Sequence, residues 1–217
     1  RTIRLTKNYR CSPAISKVVD SFRLHRLMEQ THFPLYSINH IEPIPPEDHP
    51  QLLHFPTIED QQNRLFSEIN QLLKQGYSAD DILILNAGKQ NTRFMAQEIR
   101  QALNISATTL TGSLPTTDKS LKLCDLEVAT GLESKVVFIT GLEKIFNLET
   151  DKAISEREQH SLRNTNTHML HMAMTRASER LYLLITTPKI PEELIIEGLD
   201  IPTFSAEHRA PVMYINQ

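Results

Sequence analysis

Short apolar runs alternate with helical spacing along this chain. The apolar runs have the length and the turn-rich flanks of strands, and they lie at 52–55, 82–85, 121–124, 136–140 and 181–186. Apolar residues that recur every three to four positions predict helices at about 12–30, 57–75, 91–103 and 156–177. Strands that alternate with helices predict an α/β fold, in which helices flank a parallel sheet and the crossovers are right-handed.

Local signals mark the ends and faces of these helices. Ser12 and Pro13 read as an N-cap and a first-turn proline, and Thr57 with Asp60 marks the start of the second helix. Gly76 is expected to end that helix. The second and third helices are expected to turn apolar residues inward, namely Ile58, Leu65, Ile69, Leu72 and Leu73, and Phe94, Met95, Ile99 and Leu103.

The regular spacing of apolar residues is interrupted in a few segments, and we use these to divide the chain into a domain and a tail. Five prolines interrupt 31–50, so this segment is predicted to be a connecting loop. Threonine-rich polar residues fill 108–117, and an acidic and polar segment precedes the last helix. We assign 1–187 to one domain and 188–217 to a C-terminal tail, which either packs back on the domain or leads to a neighbouring one.

Composition excludes several classes of protein. The 217 residues are 40% hydrophobic, enough for one sizeable core, and the net charge of -3 gives no global basic field for nucleic acid. Cys11 and Cys124 lack metal-ligand spacing and are interpreted as structural residues of a reducing compartment. No apolar run could span a membrane, so we expect a cytoplasmic protein without a membrane partner. Because the chain opens at Arg1 with a strand-like run, we expect a fragment of something longer.

The candidate chemistry centres on Arg176, within the otherwise apolar segment 168–177 of the last predicted helix. A guanidinium among Met, Leu and Ala is costly unless it meets an anion, and its planar fork of donors suits phosphate. Near the other end of the chain, Tyr9 and Arg10 offer an aromatic ring and a second arginine. An aromatic surface with two arginines indicates binding of a nucleoside triphosphate.

The usual phosphate-binding loop is missing. None of the six glycines begins a G-x-x-x-x-G-K-[ST] run, and Gly88-Lys89 is followed by Gln90. No apolar strand ends in a paired-acid magnesium site either. The turn at Gly131 lies between two strands, and we expect it at the carboxyl ends of the strands, where ligands gather in such sheets.

Three segments resemble motifs of superfamily-one DNA helicases of the UvrD, Rep and PcrA type. Residues 5–15, LTKNYRCSPAI, are similar to their "NYRS" motif. Residues 131–133, followed by 136–142, resemble the "KGLE" motif and its strand, and 169–177, MLHMAMTRA, resembles "YVALTRA". The motifs occur in the family's order and cover most of 1–187.

The resemblance implies the second RecA-like domain of an ATP-dependent DNA helicase, the half without the P-loop. By this resemblance Tyr9 stacks on adenine, Arg10 and Arg176 reach the γ-phosphate, and Glu133, beside Gly131, faces the nucleotide sugar. ATP and its Mg²⁺ would be held by the N-terminal RecA-like domain of the same protein, and single-stranded DNA would be the other partner. The isolated fragment is expected to be inactive.

Two departures from the family pattern affect what can be carried over. Asp125, Glu127 and Thr130 stand where relatives have Thr, His and Lys, and the His position is associated with contact to single-stranded DNA. A carboxylate repels phosphate, so DNA contact through Glu127 is not expected. Only 104–120 fills the gap where UvrD and Rep carry a large inserted domain, which resembles a compact helicase.

Each signal also has an alternative interpretation. Tyr9 can be an aromatic at the edge of the core, Arg10 can pair with Asp125, and Glu133 can cap a turn. Lys119, Lys122 and Lys135 can touch DNA or form a solvated rim, whereas His160, His168 and His171 are interpreted as surface residues without a metal. The alternative to a motor is a helicase-like fold retained as a nucleotide-sensing or protein-interaction module.

Overall fold

The computed structural model describes residues 11–27, 49–88, 91–111 and 119–202. Tyr9, Arg10, the strand-like run at the N-terminus and nearly all of the predicted 31–50 loop lie outside these residues. The strands are β1 (Gln51–Phe55), β2 (Ile82–Asn86), β3 (Ala107–Thr109), β4 (Leu121–Asp125), β5 (Ser134–Thr140) and β6 (Ala177–Thr186). The helices are α1 (Pro13–Leu27), α2 (Ile58–Lys74), α3 (Thr92–Leu103), α4 (Leu142–Glu149) and α5 (Glu156–Met174).

The six described strands form one parallel sheet in the order β1-β6-β5-β2-β4-β3. Strands β5 and β2 are neighbours in the middle of the sheet. From β2 the chain continues to the edge formed by β3, and from β5 it continues toward the edge formed by β1, so the strand order reverses between them. The predicted parallel α/β fold is confirmed.

Helices cover both faces of the sheet. Val137 and Ile139 of β5 pack into the cluster that includes residues of α1, α4 and α5. Val136 and Phe138, which alternate with them, pack into the opposite cluster with residues of α2 and α3. Each fully buried side chain of this size contributes on the order of 1.5–3 kcal/mol. A strand buried on both faces reads as a continuous apolar run, which is why β2 and β5 were evident in the sequence.

The predicted helix starts are confirmed. Ser12 Oγ accepts a hydrogen bond from the Ile15 backbone nitrogen at 3.3 Å, and Thr57 Oγ1 accepts one from the Asp60 nitrogen at 3.1 Å. α2 ends at Lys74, and Gly76 follows with φ +98°, a conformation that favours glycine.

The prediction that Ile58 and Phe94 lie on the inner faces of their helices is wrong. Ile58 is 52% exposed and Phe94 is 57% exposed. Both lie in the first turn of their helices. Residues in a helix are about 100° apart around its axis, so Phe94 points away from the buried face that Met95 and Ile99 form.

The sequence pattern did not predict two elements, β3 and α4. β3 lies at the start of the threonine-rich stretch and has only three residues. α4 occupies the acidic and polar segment, where it buries Leu142, Ile145 and Phe146. Among the described helices, none is long and apolar enough to cross a bilayer.

The first part of the tail packs on the domain. Leu194 and Leu199 are buried in the cluster that contains α1. The Asp200 nitrogen donates to the Pro50 carbonyl at 2.9 Å, and the Leu52 nitrogen donates to the Asp200 carbonyl at 2.8 Å. The tail therefore pairs with the start of β1 and satisfies the Leu52 N–H, which covers part of that edge.

Candidate functional site

Arg176 lies in a turn, not on the helix that the sequence predicted to extend to residue 177. α5 ends at Met174 with Thr175 as its C-cap, and β6 begins at Ala177, which pairs with Ser134 of β5. Strand pairing at Ala177 therefore ends the helix earlier than its apolar spacing indicated. The turn places Arg176 where α5 meets the sheet.

Backbone carbonyls hold the Arg176 guanidinium in place. Its Nε donates to the Met172 carbonyl at 3.0 Å, and its Nη1 donates to the Leu132 carbonyl at 3.2 Å. Nη2 donates to Thr175 Oγ1 at 3.3 Å. A cation at the C-terminal end of a helix also interacts favourably with the helix dipole. The half-buried side chain thus joins the end of α5 to the turn that precedes β5.

That turn includes Gly131 and lies at the amino-terminal edge of the sheet, so its expected place at the carboxyl ends of the strands is wrong. β4 and β5 both run parallel to β2, and the chain must therefore return to the amino-terminal edge before β5 can begin. Gly131 is exposed with φ +83°, which explains a glycine there without any ligand.

A surface cavity of about 280 Å³ brings Glu133 and Arg176 together. Its other walls come from the residues that begin β5 and β6 and from the acidic turn before β2, namely Ser134, Lys135, Ser178, Asp80 and Asp81. Glu133 is exposed, and Gly131 does not line the cavity. Two of the predicted site residues are thus neighbours at the amino-terminal edge.

The N-terminal segment reaches the same junction. Cys11 Sγ donates to the Thr175 carbonyl at 3.6 Å, and the Ser12 nitrogen donates to the Ser178 carbonyl at 2.9 Å. Cys11 directly follows Arg10 in the chain. Cys11 and Ser12, the two residues that follow Arg10 in the sequence, therefore contact backbone carbonyls on either side of Arg176, although Tyr9 and Arg10 themselves lie outside the described residues.

An ion pair occupies part of the cavity. Lys135 Nζ lies 3.1 Å from Asp81 Oδ1, and this contact raises the pKa of Lys135. Burial acts to raise the pKa of Asp81, but hydrogen bonds from Ser78 and the contact with Lys135 outweigh it and lower that pKa. Lys135, a candidate for DNA contact, is thus engaged by a carboxylate of its own chain.

Cations also surround His171 in the last turn of α5. Burial lowers the pKa of His171, and the charges of Arg23, His168 and Arg176 lower it further. These neighbours favour the neutral imidazole.

Among the described residues, no group of three His, Cys, Asp or Glu side chains is arranged to hold a metal ion. Both cysteines are buried and form no disulfide.

The cavity suits a contribution to a nucleotide site more than a complete one. A guanidinium held by carbonyls at a cavity wall can donate hydrogen bonds to an oxyanion. Asp80, Asp81 and Glu133 place three carboxylates around the two cations Lys135 and Arg176, however, and such surroundings do not hold a whole triphosphate. The described lining has one carboxylate more than it has cations, so an oxyanion that meets Arg176 here must overcome a net negative charge.

The sequence did not indicate the polar arrangement at the opposite edge, where β2 and β5 end. Asn86 Oδ1 accepts from the Gly88 nitrogen at 3.0 Å, and Lys144 Nζ donates to the Gly88 carbonyl. A Cβ atom on Gly141 would lie 2.6 Å from the Gly88 nitrogen. The two glycines allow the chain to pass closely here, and a Gly that follows each of two predicted strands was the available signal.

Asp125 and Glu127, the acidic residues that differ from the resembled helicase motif, follow the carboxyl end of β4 at this same edge of the sheet. Asp125 ends β4, and its Oδ1 accepts a hydrogen bond from Asn86 Nδ2 at 3.4 Å. Glu127 is exposed on the single 3₁₀ turn that follows. The two carboxylates therefore lie on a different part of the molecule from the Arg176 cavity.

Comparison with known proteins identifies the fold. No protein-family model matches the sequence, and no curated protein matches it either. The fold is similar to the C-terminal domain of a possible DNA helicase from Lactobacillus plantarum WCFS1, with a TM-score of 0.58, 12% identity, and coverage of 90% of this chain and 99% of that one. A hypothetical ATP-dependent RNA helicase from Sulfolobus tokodaii matches with a TM-score of 0.46, 13% identity, and coverage of 90% of this chain and 52% of that one. The chain has a RecA-like α/β fold that it shares with the C-terminal domain of that possible DNA helicase.

Proposed function

We propose that this chain is the C-terminal motor domain of an ATP-dependent DNA helicase or translocase of the compact UvrD, Rep and PcrA type. The observation that supports it most directly is Arg176, fixed by two carbonyls at the edge of a RecA-like sheet that has no P-loop. The fold match covers nearly the whole of a helicase C-terminal domain. The three motif resemblances in the sequence supply the rest of the argument.

In this proposal Arg176 acts on a nucleotide held by another domain. Hydrolysis of ATP, bound with Mg²⁺ on the N-terminal RecA-like domain of the same protein, supplies the free energy. Arg176 donates to the oxygens of the γ-phosphate and stabilises the negative charge that they carry during transfer to water. The carbonyls of Met172 and Leu132 fix the guanidinium, so little conformational entropy is lost when it makes these bonds.

Tyr9, Arg10 and Glu133 complete the proposed half-site. Tyr9 stacks on the adenine, Arg10 donates to the γ-phosphate beside Arg176, and Glu133 accepts hydrogen bonds from the ribose hydroxyls, with Gly131 shaping its turn. The contact between Cys11 and Thr175 supports the pairing of the two arginines, because each contact residue is the chain neighbour of one of them.

The domain would also provide part of a track for single-stranded DNA. We place this track away from Glu127, whose exposed carboxylate repels phosphate. Motion of the domain relative to its partner would then convert the ATPase cycle into steps along the strand.

A second candidate function is a nucleotide-sensing or protein-interaction module without unwinding activity. The three carboxylates around the Arg176 cavity favour it, as do Asp125 and Glu127. A sensor needs to bind nucleotide but does not need rapid turnover.

An ATPase assay on the full-length protein distinguishes the two functions. A motor is expected to hydrolyse ATP faster when single-stranded DNA is added, and to lose that stimulation at high salt because the DNA contacts are electrostatic. Nucleotide binding without DNA-stimulated turnover would favour the module and contradict the motor.

A further inference from the structure

A second cavity, of about 320 Å³, lies at the amino-terminal ends of β1 and β6 on the α2 side of the sheet. Two arginines, one carboxylate and three carboxamides form most of its wall: Arg64, Arg180, Glu68, Gln51, Gln71 and Gln75. The cavity shares no lining residue with the one at Arg176. Its volume falls in the usual range for pockets that hold small ligands.

The cavity has an excess of positive charge. Glu68 is 6% exposed and pairs with Arg64 one helical turn earlier on α2. Burial raises the pKa of Glu68, whereas the charges of Arg64 and Arg180 lower it. Among the described lining residues, one carboxylate thus stands against two guanidinium groups that cannot lose their charge, which leaves these residues with a surplus of one positive charge.

Arg180 is held by aromatic side chains. Its guanidinium lies over the Tyr77 ring, 5.6 Å from the centroid, and interacts with the side chain of Tyr182 on the same strand. Tyr182 is buried and stacks on Phe138 at 4.6 Å between ring centroids. Arg180 Nε is buried and has no hydrogen-bond partner, and within the described residues no carboxylate lies within ion-pair distance of this side chain. The Arg180 guanidinium thus interacts with both tyrosine side chains but keeps one buried N–H donor, Nε, without an acceptor, which favours an anion in the cavity.

The remaining polar residues of the cavity wall indicate which kinds of ligand the cavity can bind. Gln51, Gln71 and Gln75 each offer one carbonyl acceptor and two N–H donors, so the ligand can carry further hydrogen-bonding groups. A cation is disfavoured because Glu68, the one carboxylate among the described residues of the wall, already pairs with Arg64. An apolar ligand is disfavoured because polar side chains form most of the wall.

We propose that this cavity binds a small oxyanion ligand, bearing a phosphate or a carboxylate, between Arg180 and Arg64. The two guanidinium groups meet the oxyanion and the three carboxamides orient the remainder of the molecule. The site rests on its own residues and not on the proposed motor function, so either can fail without the other.

Titration of the full chain with inorganic phosphate and with acetate tests this site. Side-chain amide signals of Gln51, Gln71 and Gln75 are followed by NMR at constant ionic strength, with chloride as the reference anion. The expected result is a saturable shift of these signals with one or both oxyanions. Stronger binding of phosphate indicates a phosphate-bearing ligand, and equal or stronger binding of acetate indicates a carboxylate. Shifts that do not saturate, or that chloride reproduces, would overturn the proposal.

Two variants locate the binding in this cavity. Arg180→Gln removes the charge and is expected to weaken binding about tenfold or more. Gln71→Glu preserves the size of an exposed side chain but adds a negative charge at the rim, so it is expected to weaken binding even if Arg180→Gln fails to fold. Arg157→Gln and Gln97→Glu make the same changes at exposed positions outside the cavity and should leave binding unchanged. Unchanged binding in Gln71→Glu would contradict the site.

Discussion

Cys11 Sγ donates a hydrogen bond to the carbonyl of Thr175 across a separation of 164 residues. Cys11 follows Arg10 in the sequence and Thr175 precedes Arg176, so two segments from opposite ends of the chain meet next to Arg176. Their meeting depends on the packing of α1 against α5 in a shared core. The proposed half-site is therefore a product of the tertiary fold.

Thr175→Val is expected to impair ATP turnover by the full-length protein without unfolding the domain. The Thr175 hydroxyl donates to the Met172 carbonyl at 2.6 Å and accepts from Arg176 Nη2 at 3.3 Å. Its loss leaves the guanidinium less firmly oriented, and we expect kcat to fall about tenfold with little change in KM.

The matched control is Thr165→Val on the same helix. Thr165 is exposed, and its hydroxyl donates to the Ser161 carbonyl at 3.0 Å. This variant removes the same kind of bond far from Arg176 and should leave kcat unchanged. Equal kcat values in the two variants would show that Thr175 does not position the arginine.

A buried ion pair joins α1, α4 and α5, and breaking it should destabilise the domain. Arg26 Nη2 lies 2.6 Å from each Glu149 carboxylate oxygen, and Arg26 Nε donates to Thr167 Oγ1 at 2.8 Å. Arg26→Met leaves Glu149 buried without its cation and is expected to lower the free energy of unfolding by about 3–5 kcal/mol.

Urea denaturation measures this effect, with two comparisons. The double variant Arg26→Met with Glu149→Met removes both charges and should recover much of the loss. Lys189→Ala breaks a pair in which both side chains are 81% exposed, and should change the free energy of unfolding by less than about 1 kcal/mol. A double variant that is no more stable than Arg26→Met would contradict this account.

Stability is expected to fall at alkaline pH because of Cys124. Burial raises the pKa of its thiol to about 12, with a further contribution from Asp125, whereas the ordinary value is 9.0. As pH rises from 9.0 toward 12, the unfolded chain loses this proton while the folded chain keeps it. The free energy of unfolding then decreases by up to about 1.4 kcal/mol per pH unit. Below pH 9.0 both states keep the proton, so the Cys124 thiol does not make stability depend on pH there.

Cys124→Ala isolates this effect. Its free energy of unfolding is compared with that of the wild type at about pH 8 and about pH 10.5. The variant loses packing at both pH values, but only the wild type should lose the additional stability due to the thiol. Identical changes with pH in the two proteins would rule out the raised pKa.

Gly141 and Gly131 should tolerate alanine differently, although both have positive φ angles. A Cβ atom on Gly141 would lie 2.6 Å from the Gly88 nitrogen, whereas a Cβ on Gly131 meets no atom within 4 Å. Gly131→Ala is expected to cost about 1–2 kcal/mol from its backbone conformation alone. Gly141→Ala should cost about 1–3 kcal/mol more because the strands must shift. Equal losses in thermal or urea unfolding would contradict the close approach of Gly88 and Gly141.

The sequence predicted the frame of the fold because both faces of its central strands are buried. β2 and β5 are continuous apolar runs, and the caps at Ser12 and Thr57 are local hydrogen bonds between near neighbours. β3 escaped because three residues carry no period, and its place depends on pairing with β4. α4 escaped because its apolar face is short and interrupted by acidic and polar residues.

The position of the candidate site could be predicted only in part. Arg176 stood out as a charge in an apolar segment, but its place in a turn follows from the pairing of Ala177 with Ser134. The cavity also contains Asp80 and Asp81, which lie almost one hundred residues earlier in the chain. No local pattern links those carboxylates to Arg176, because only the order of the strands brings them together.

ATP turnover by the full-length protein carrying Arg176→Ala tests the central claim most directly. The account predicts a loss of about a thousandfold or more in kcat, little recovery in Arg176→Lys, which lacks the forked donors, and normal kcat in Arg157→Ala at an exposed position of α5. Circular dichroism of each variant should show a folded domain. Normal ATP turnover by folded Arg176→Ala would contradict the account.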